Sequence, residues 1–250
     1  MRIIINGICG RMGKEVARLA CDGMRNSSLV CGIDAFGTAD TEYGVPCYKS
    51  FDDAKNICAD VMIDFSHHSV TPALLEFCIS KNLPVVVATT GHDEKEQELI
   101  AEAAKKIPVF HSANMSLGVA LLCELAKTAA KTMPDADIEI IEKHHNRKLD
   151  APSGTALLLA DAISTVRNSA FYVFGRGGQK KREKNEIGIH AIRMGNIVGE
   201  HEVIIGTDTQ TITLKHEAHT RALFAEGAVS AAAFLSGKPA GLYAMKDIVE

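Results

Sequence analysis

Three basic side chains lie within five residues of one another in the middle of the chain: His144, His145 and Lys148. Imidazole suits proton transfer near neutral pH, because its charge changes in that range. Two adjacent histidines on a loop point in different directions, so we expect one to handle protons and the other to hold a substrate. Lys148 is close enough in sequence to add a positive charge.

A helix start follows this basic segment. Ser153 has the side chain of an N-cap, and the backbone amides of Gly154 and Thr155 would bind a carboxylate at the positive end of the helix. The structural alternatives are a surface His-Lys cluster and a helix start that is held only by its cap. No carboxylate or cysteine recurs at zinc-ligand spacing, so no metal site is expected.

A second segment with chemical potential is the glycine-rich run from Gly7 to Gly13. Its GxxGxxG spacing is a variant of the GxGxxG loop that brings a pyrophosphate close to helix N-terminal amides. A tight strand-to-helix turn is the alternative. Asp34 would accept hydrogen bonds from an adenosine ribose and repel a 2′-phosphate, unless it is merely a solvated strand-end residue. With Arg11 as partial compensation, we expect dual use of NADH and NADPH with an NADH preference.

The first half of the chain alternates apolar runs with segments of helical period. The predicted strands cover 2–6, 29–34, 60–65, 84–90 and 108–112, and the predicted helices cover 12–24, 70–81 and 94–106. This alternation predicts a doubly wound parallel sheet. Polar groups follow three of these strands at 65–66, 88–91 and 112–115, where we expect them to line the nicotinamide half of a cofactor cleft.

The pattern changes after a predicted helix over 117–131. A strand over 137–142, a helix from about Ser153 and strand runs over 187–194, 198–206 and 210–216 predict an α+β unit. Short turns join the last three runs, which suggests an antiparallel meander. The interval 175–188 is too polar to bury and is expected to be a surface loop. The tail after a helix over 221–236 could pack on either half.

Composition excludes several classes of function. The net charge of -4 offers no electrostatic footprint for nucleic acid or an anionic membrane. No run approaches the roughly 20 apolar residues of a membrane helix, and the N-terminus lacks the architecture of a signal peptide. We therefore expect a cytoplasmic protein without nucleic-acid or membrane partners.

Several blocks resemble one known family. Glu142-Lys143-His144-His145, Lys148 and the run from Asp150 to Ala156 are similar to the signature of the 4-hydroxy-tetrahydrodipicolinate reductases, also called dihydrodipicolinate reductases. The glycine-rich loop resembles the family's cofactor loop. Further similar blocks lie at 64–66, 89–91, 114–116, 197–201 and 224–228, so the resemblance spans nearly the whole chain.

The resemblance implies an α/β fold with an N-terminal Rossmann-like doubly wound parallel sheet. A second, α+β domain with a mixed, largely antiparallel sheet would bind substrate and mediate oligomerisation. Residues 1–115, completed by 223–250, would form the dinucleotide-binding domain, and 116–222 the other. The implied reaction reduces 4-hydroxy-tetrahydrodipicolinate to tetrahydrodipicolinate with NADH or NADPH and loss of water, in lysine and diaminopimelate biosynthesis. The implied assembly is a homotetramer.

The resemblance also implies roles for single residues. His144 would give or take a proton, and Lys148 would be the second catalytic proton donor. The dicarboxylate substrate would be bound by His145, Ser153, Gly154 and Thr155. The cofactor contacts would fall on Gly7, Ile8, Cys9, Gly10, Arg11, Met12, Asp34, Ala88, Thr89, Thr90, Ser112, Ala113, Asn114 and Met115. Met115 departs from the family pattern, where an aromatic residue is common, and Asp34 lacks a following basic residue.

Two other functions remain open on the sequence alone. Another two-domain NAD(P)-dependent amino-acid dehydrogenase would share the nucleotide fold but lack the block over 144–155. A dinucleotide sensor would bind NADH without turnover, and it leaves the cluster of His144, His145 and Lys148 unexplained.

Overall fold

The computed structural model describes residues 1–37 and 43–249. These residues form two compact units. The first unit consists of Met1–Leu117 and Ala222–Ile248, and the second consists of Gly118–Arg221 and also includes Val249. No helix in the described ranges is both long and apolar enough to cross a membrane.

A seven-stranded sheet forms the centre of the first unit. Its strands are β1 (Arg2–Asn6), β2 (Ser28–Ile33), β3 (Cys47–Tyr48), β4 (Val61–Asp64), β5 (Val85–Val87), β6 (Pro108–His111) and β12 (Gly241–Tyr243). All pairings are parallel, in the order β12-β6-β5-β4-β1-β2-β3. The strand order reverses between β1 and β4, and the crevice outside the carboxyl ends of such strands is where open α/β sheets bind ligands.

Helices cover this sheet and bury its strands on both faces. Ile3, Ile4 and Ile5 of β1 are all fully buried, as expected for a central parallel strand. The helices are α1 (Arg11–Cys21), α2 (Thr71–Ser80), α3 (Glu94–Ala104), α6 (Ala222–Leu235) and α7 (Lys246–Val249). Helix α1 packs against α6, and α2 packs against α3. The tail contributes β12, which pairs with β6 in this unit.

The second unit packs two helices on a five-stranded sheet. Its elements are α4 (Leu117–Thr132), β7 (Asp137–His144), α5 (Gly154–Ser164), β8 (Phe171–Phe174), β9 (Glu186–Arg193), β10 (Gly199–Gly206) and β11 (Thr211–Ala218). The sheet order is β11-β10-β7-β9-β8. Alternate residues of β7 are buried, and Ile138 and Ile140 belong to the core formed with α4 and α5. This two-residue period also places Glu142 and His144 on the buried face.

The predicted antiparallel meander is wrong. Strands β10 and β11 form an antiparallel hairpin, but β7 lies between β10 and β9. The β7-β9 and β9-β8 pairings are parallel, so the sheet is mixed, with as many parallel as antiparallel pairings rather than a largely antiparallel character. The reason is that β7, which places Ile138 and Ile140 in the core, takes the central position and separates strands that are consecutive in the chain. The predicted fold class, a Rossmann-like sheet plus a second unit with a mixed sheet, is confirmed.

The polar interval over 175–188 ends earlier than predicted. Strand β9 already begins at Glu186, and Glu186 and Ile187 are buried. Arg182 explains this boundary, because its guanidinium donates to the carboxylates of Glu139 and Asp137 and to the carbonyl of Ile138. Those bonds hold the polar segment against β7.

Candidate functional site

Glu142 lies at the centre of a buried hydrogen-bond network in the second unit. Its carboxylate accepts from His144 Nδ1 at 2.6 Å and from the Ser153 amide at 3.0 Å. Both terminal nitrogens of Arg193 also donate to it, at 2.8 and 2.7 Å. The side chain is 0% exposed. The network joins the ends of β7 and β9 to the start of α5.

The Glu142 carboxyl is ionised at neutral pH. Burial by itself would raise its pKa, because the charged form is separated from water. The hydrogen bonds from His144, Arg193 and Ser153 outweigh that effect and lower the pKa to about 2. An ionised carboxylate has only acceptor sites, so each partner must present a hydrogen to it.

Ser153 caps α5, as predicted. Its Oγ accepts from the Ala156 amide at 3.2 Å and lies 3.0 Å from His201 Nε2. Burial, followed by the charge of His144, lowers the pKa of His201 to about 4, so this imidazole is neutral at pH 7. The Ser153 hydroxyl thus has two partners within the chain, the Ala156 amide and His201. Gly154, the next residue, is exposed.

His145 and Lys148 lie in an electropositive environment. Burial, followed by the charges of Arg147 and Arg221, lowers the pKa of His145, and Lys148 contributes to the same shift. Nδ1 of His145 is buried and has no hydrogen-bond partner within the described residues. Lys148 Nζ lies 2.9 Å from a carboxylate oxygen of Asp150. This cluster of cations around an unsatisfied imidazole nitrogen suits an anionic ligand.

The glycine-rich loop of the first unit follows β1 and leads into α1. Gly7 has a φ of +82°, and an ideal Cβ there would lie 2.6 Å from the carbonyl oxygen of Phe65. An ideal Cβ at Gly13 would lie 2.1 Å from the carbonyl oxygen of Gly7. The N-cap of α1 is Gly10, which offers no side-chain cap. A helix start without a side-chain cap leaves backbone amides that fit a pyrophosphate group.

The structure brings Asp34 to this loop. One carboxylate oxygen of Asp34 accepts from the Cys9 amide at 3.0 Å, and the other accepts from the Phe36 amide at 3.0 Å. Among the remaining predicted loop contacts, Ile8 is buried, Arg11 is exposed and Met12 is half-buried. Ile8 could therefore reach a cofactor only through its backbone.

The predicted contacts after β5 and β6 differ in accessibility. Thr90 and Ala113 are exposed, Ser112 and Asn114 are half-buried, and Ala88, Thr89 and Met115 are buried. Thr89 Oγ1 donates to Asp64 at 2.6 Å. Met115 is covered because α6 approaches it closely, and an ideal Cβ at Gly227 would lie 1.6 Å from its carbonyl oxygen.

The sequence assigned no individual role to three residues of these networks: Asp64, Arg193 and His201. Asp64 is fully buried and accepts from Asn6 at 2.7 Å as well as from Thr89. His201 lies within a block that resembles the family, but nothing in the sequence gave it a role. The clearest available signal was Asp64, a carboxylate that ends the otherwise apolar strand β4.

Comparisons with known proteins agree with this architecture. The family model described as "Dihydrodipicolinate reductase, N-terminus" matches residues 1–115, and "Dihydrodipicolinate reductase, C-terminus" matches residues 118–249. The chain belongs to the dihydrodipicolinate reductase family. The predicted resemblance is confirmed. The C-terminal match runs through α6 and β12, which lie in the first unit of the structure.

Individual members of the dihydrodipicolinate reductase family match over their full length. A 4-hydroxy-tetrahydrodipicolinate reductase from Caldanaerobacter subterraneus subsp. tengcongensis is 48% identical, with 100% of this chain and 98% of the relative covered. One from Clostridium tetani is 45% identical over 98% of this chain and 95% of the relative. A dipicolinate-bound dihydrodipicolinate reductase from Paenisporosarcina sp. TG-14 superposes with a TM-score of 0.83 at 26% identity, covering 99% of both chains.

Proposed function

We propose that this chain reduces 4-hydroxy-tetrahydrodipicolinate to tetrahydrodipicolinate with NADH or NADPH and loss of water, in lysine and diaminopimelate biosynthesis. The observation that carries the proposal is the network that presents His144 beside the electropositive cluster of His145 and Lys148. Family membership supports the same reaction.

When bound, the reduced nicotinamide supplies hydride. The glycine-rich loop would hold its pyrophosphate through backbone amides from Gly7 to Met12, and Asp34 would accept from the adenosine ribose. Residues 88–90 and 112–115 would contact the nicotinamide half. We expect NADH to be preferred, because the Asp34 carboxylate would repel a 2′-phosphate.

The chain's own part in the reaction is proton handling and substrate binding. His144 would exchange a proton at Nε2, since Nδ1 is bonded to Glu142. Lys148 would be the second proton donor. The carboxylates of the substrate would be bound by His145 and by the start of α5 at Gly154 and Thr155. The relative from Paenisporosarcina is described as dipicolinate-bound, and dipicolinate is a dicarboxylate of this class.

The remaining features of the proposal concern organisation. Residues 1–115 with 223–250 would be the dinucleotide-binding domain, and 116–222 the substrate-binding and oligomerisation domain. The functional assembly would be a cytoplasmic homotetramer. Sedimentation at micromolar concentration tests the assembly directly, and a monomer would contradict it.

A coupled assay tests the reaction. A dihydrodipicolinate synthase generates the substrate in place from pyruvate and aspartate semialdehyde, and oxidation of NADH or NADPH is followed by absorbance. Omitting the synthase is the control. We expect oxidation that depends on the synthase and is faster with NADH. Folded protein that binds NADH but oxidises neither cofactor would instead favour a dinucleotide sensor or another dehydrogenase.

A further inference from the structure

The carboxylate of Glu142 is placed to control the proton position on His144. We propose that Glu142 is a positioning residue that holds His144 in the tautomer with hydrogen on Nδ1 and so leaves Nε2 to exchange the catalytic proton. The inference rests on the proposed function, because it concerns the group that would move a proton in that reaction. It assigns to a buried carboxylate a role that is exerted through His144.

The geometry determines the tautomer. Glu142 Oε2 lies 2.6 Å from His144 Nδ1, a short distance for a nitrogen-oxygen hydrogen bond. The same oxygen also accepts from Arg193 at 2.8 Å. Because the carboxylate is ionised, it can only accept, so Nδ1 must carry the hydrogen. A neutral His144 then has its single lone pair at Nε2.

The surroundings of Nε2 leave it available. No hydrogen bond joins Nε2 to another group in the part of the chain that the structure describes. An ideal Cβ at Gly199 would lie 3.1 Å from this nitrogen, so the glycine keeps that side free of a side chain. The His201 ring lies 5.2 Å away, centroid to centroid, and is neutral at pH 7.

Because Arg193 pairs with Glu142, the effect of Glu142 on His144 is to orient the ring and not only to act through charge. The guanidinium donates to both oxygens of Glu142 and thereby balances the charge of the carboxylate. What remains for His144 is a directional acceptor at a fixed position. Among the described residues, the titratable groups that interact with His144 include Glu142, His145 and His201, while Arg193 contacts Glu142 and the charge of Lys148 acts on both neighbouring histidines.

A paired substitution isolates this role. In E142Q alone, the amide nitrogen would face either Arg193 or the Ser153 amide, and a buried mismatch would result. In the double variant E142Q/R193M, the amide oxygen can still accept from Ser153, while the amide nitrogen donates to Nδ1 of His144. This arrangement reverses the tautomer and places the hydrogen on Nε2.

A matched control is available on the same strand. Glu139 accepts from His190 Nε2 at 2.8 Å and from Arg182 Nε at 3.1 Å, so it also joins a histidine and an arginine. It lies on the opposite face of β7 from Glu142. E139Q therefore removes a similar carboxylate without altering His144. E142D, which retains an acceptor-only group, is the conservative comparison.

Two measurements are made on each variant. Nitrogen-15 histidine spectra, assigned with H144Q, report which ring nitrogen of His144 carries hydrogen. The coupled assay gives kcat, KM and the pH dependence of kcat. We expect hydrogen on Nδ1 in the wild type and E139Q, and on Nε2 in E142Q/R193M. We expect kcat of the double variant to fall at least about tenfold, with a displaced pH profile and KM within about threefold of wild type. E142D should retain more activity than the double variant.

The outcomes separate this inference from the proposed function. Hydrogen on Nε2 in the wild type overturns the inference, even if the double variant does not fold. A folded double variant with the kcat and pH profile of E139Q also overturns it. If the wild type shows no synthase-dependent oxidation, the proposed function fails, and with it the catalytic meaning of the tautomer, whatever the spectra show.

Discussion

A methyl group added at Gly13 should disturb the glycine-rich loop, whereas a methyl group added at a glycine with open space around it, such as Gly177, should not. In G13A, the ideal Cβ would lie 2.1 Å from the Gly7 carbonyl oxygen and 2.7 Å from Ile8 Cα. Both neighbours are backbone atoms, so no side-chain rotation can relieve the contact. The loop must move by about 1 Å to restore an ordinary separation.

The free-energy cost follows from that displacement. Forcing extra atoms into a packed region typically costs about 1 to 3 kcal/mol. If the loop stays in place, this cost appears as lost stability. If the loop relaxes, its backbone amides move away from the positions that would bind the pyrophosphate. Returning them to those positions costs the same free energy, so NADH binding weakens by about five- to 150-fold in Kd.

The assay combines NADH titration, followed by fluorescence, with urea unfolding followed by circular dichroism. G177A is the matched control, because nothing lies within 4 Å of an ideal Cβ at Gly177. We expect G177A to behave as the wild type in both measurements. G13A should lose affinity, stability or both, with the two losses together near the estimated cost. Wild-type affinity and stability in G13A would refute the argument from close backbone approach.

Three further predictions concern the second unit. H144Q and K148A should each lower kcat by about 100-fold or more in the coupled assay while leaving NADH affinity nearly unchanged; wild-type turnover would remove that residue from the mechanism. R182A should lower the free energy of unfolding by about 2 kcal/mol and speed protease cleavage within 175–185, because the carboxylates of Glu139 and Asp137 and the carbonyl of Ile138 lose a charged donor; unchanged cleavage would contradict this. The pKa of Glu142 falls from 4.5 to about 2 on folding, so its ionisation adds about 3 kcal/mol to the free energy of unfolding. This contribution is complete well above pH 4.5 and is lost as the pH falls toward 2. Acid unfolding curves should therefore depend less steeply on pH in E142Q/R193M than in the wild type, and identical slopes would argue against the depressed pKa.

Local patterns were sufficient for most of the elements. The five predicted strands of the first sheet are present as β1, β2, β4, β5 and β6, because buried parallel strands are recognisable as apolar runs between turns. Strands β3 and β12 were not predicted, since runs of two and three residues carry too little periodicity. The cap at Ser153 was predictable because capping depends on neighbours within the same helical turn.

What the sequence determined by itself was therefore local: the glycine-rich loop, the basic segment at 144–148 and its adjoining helix start. The tertiary structure decided which distant groups meet them. Arg193 reaches Glu142 across 51 positions, and His201 reaches Ser153 across 48. These contacts exist because β7 lies between β9 and β10, an order that contradicts the predicted meander. Strand order depends on the burial of whole sheet faces, a property of the assembled unit that no short window of residues contains.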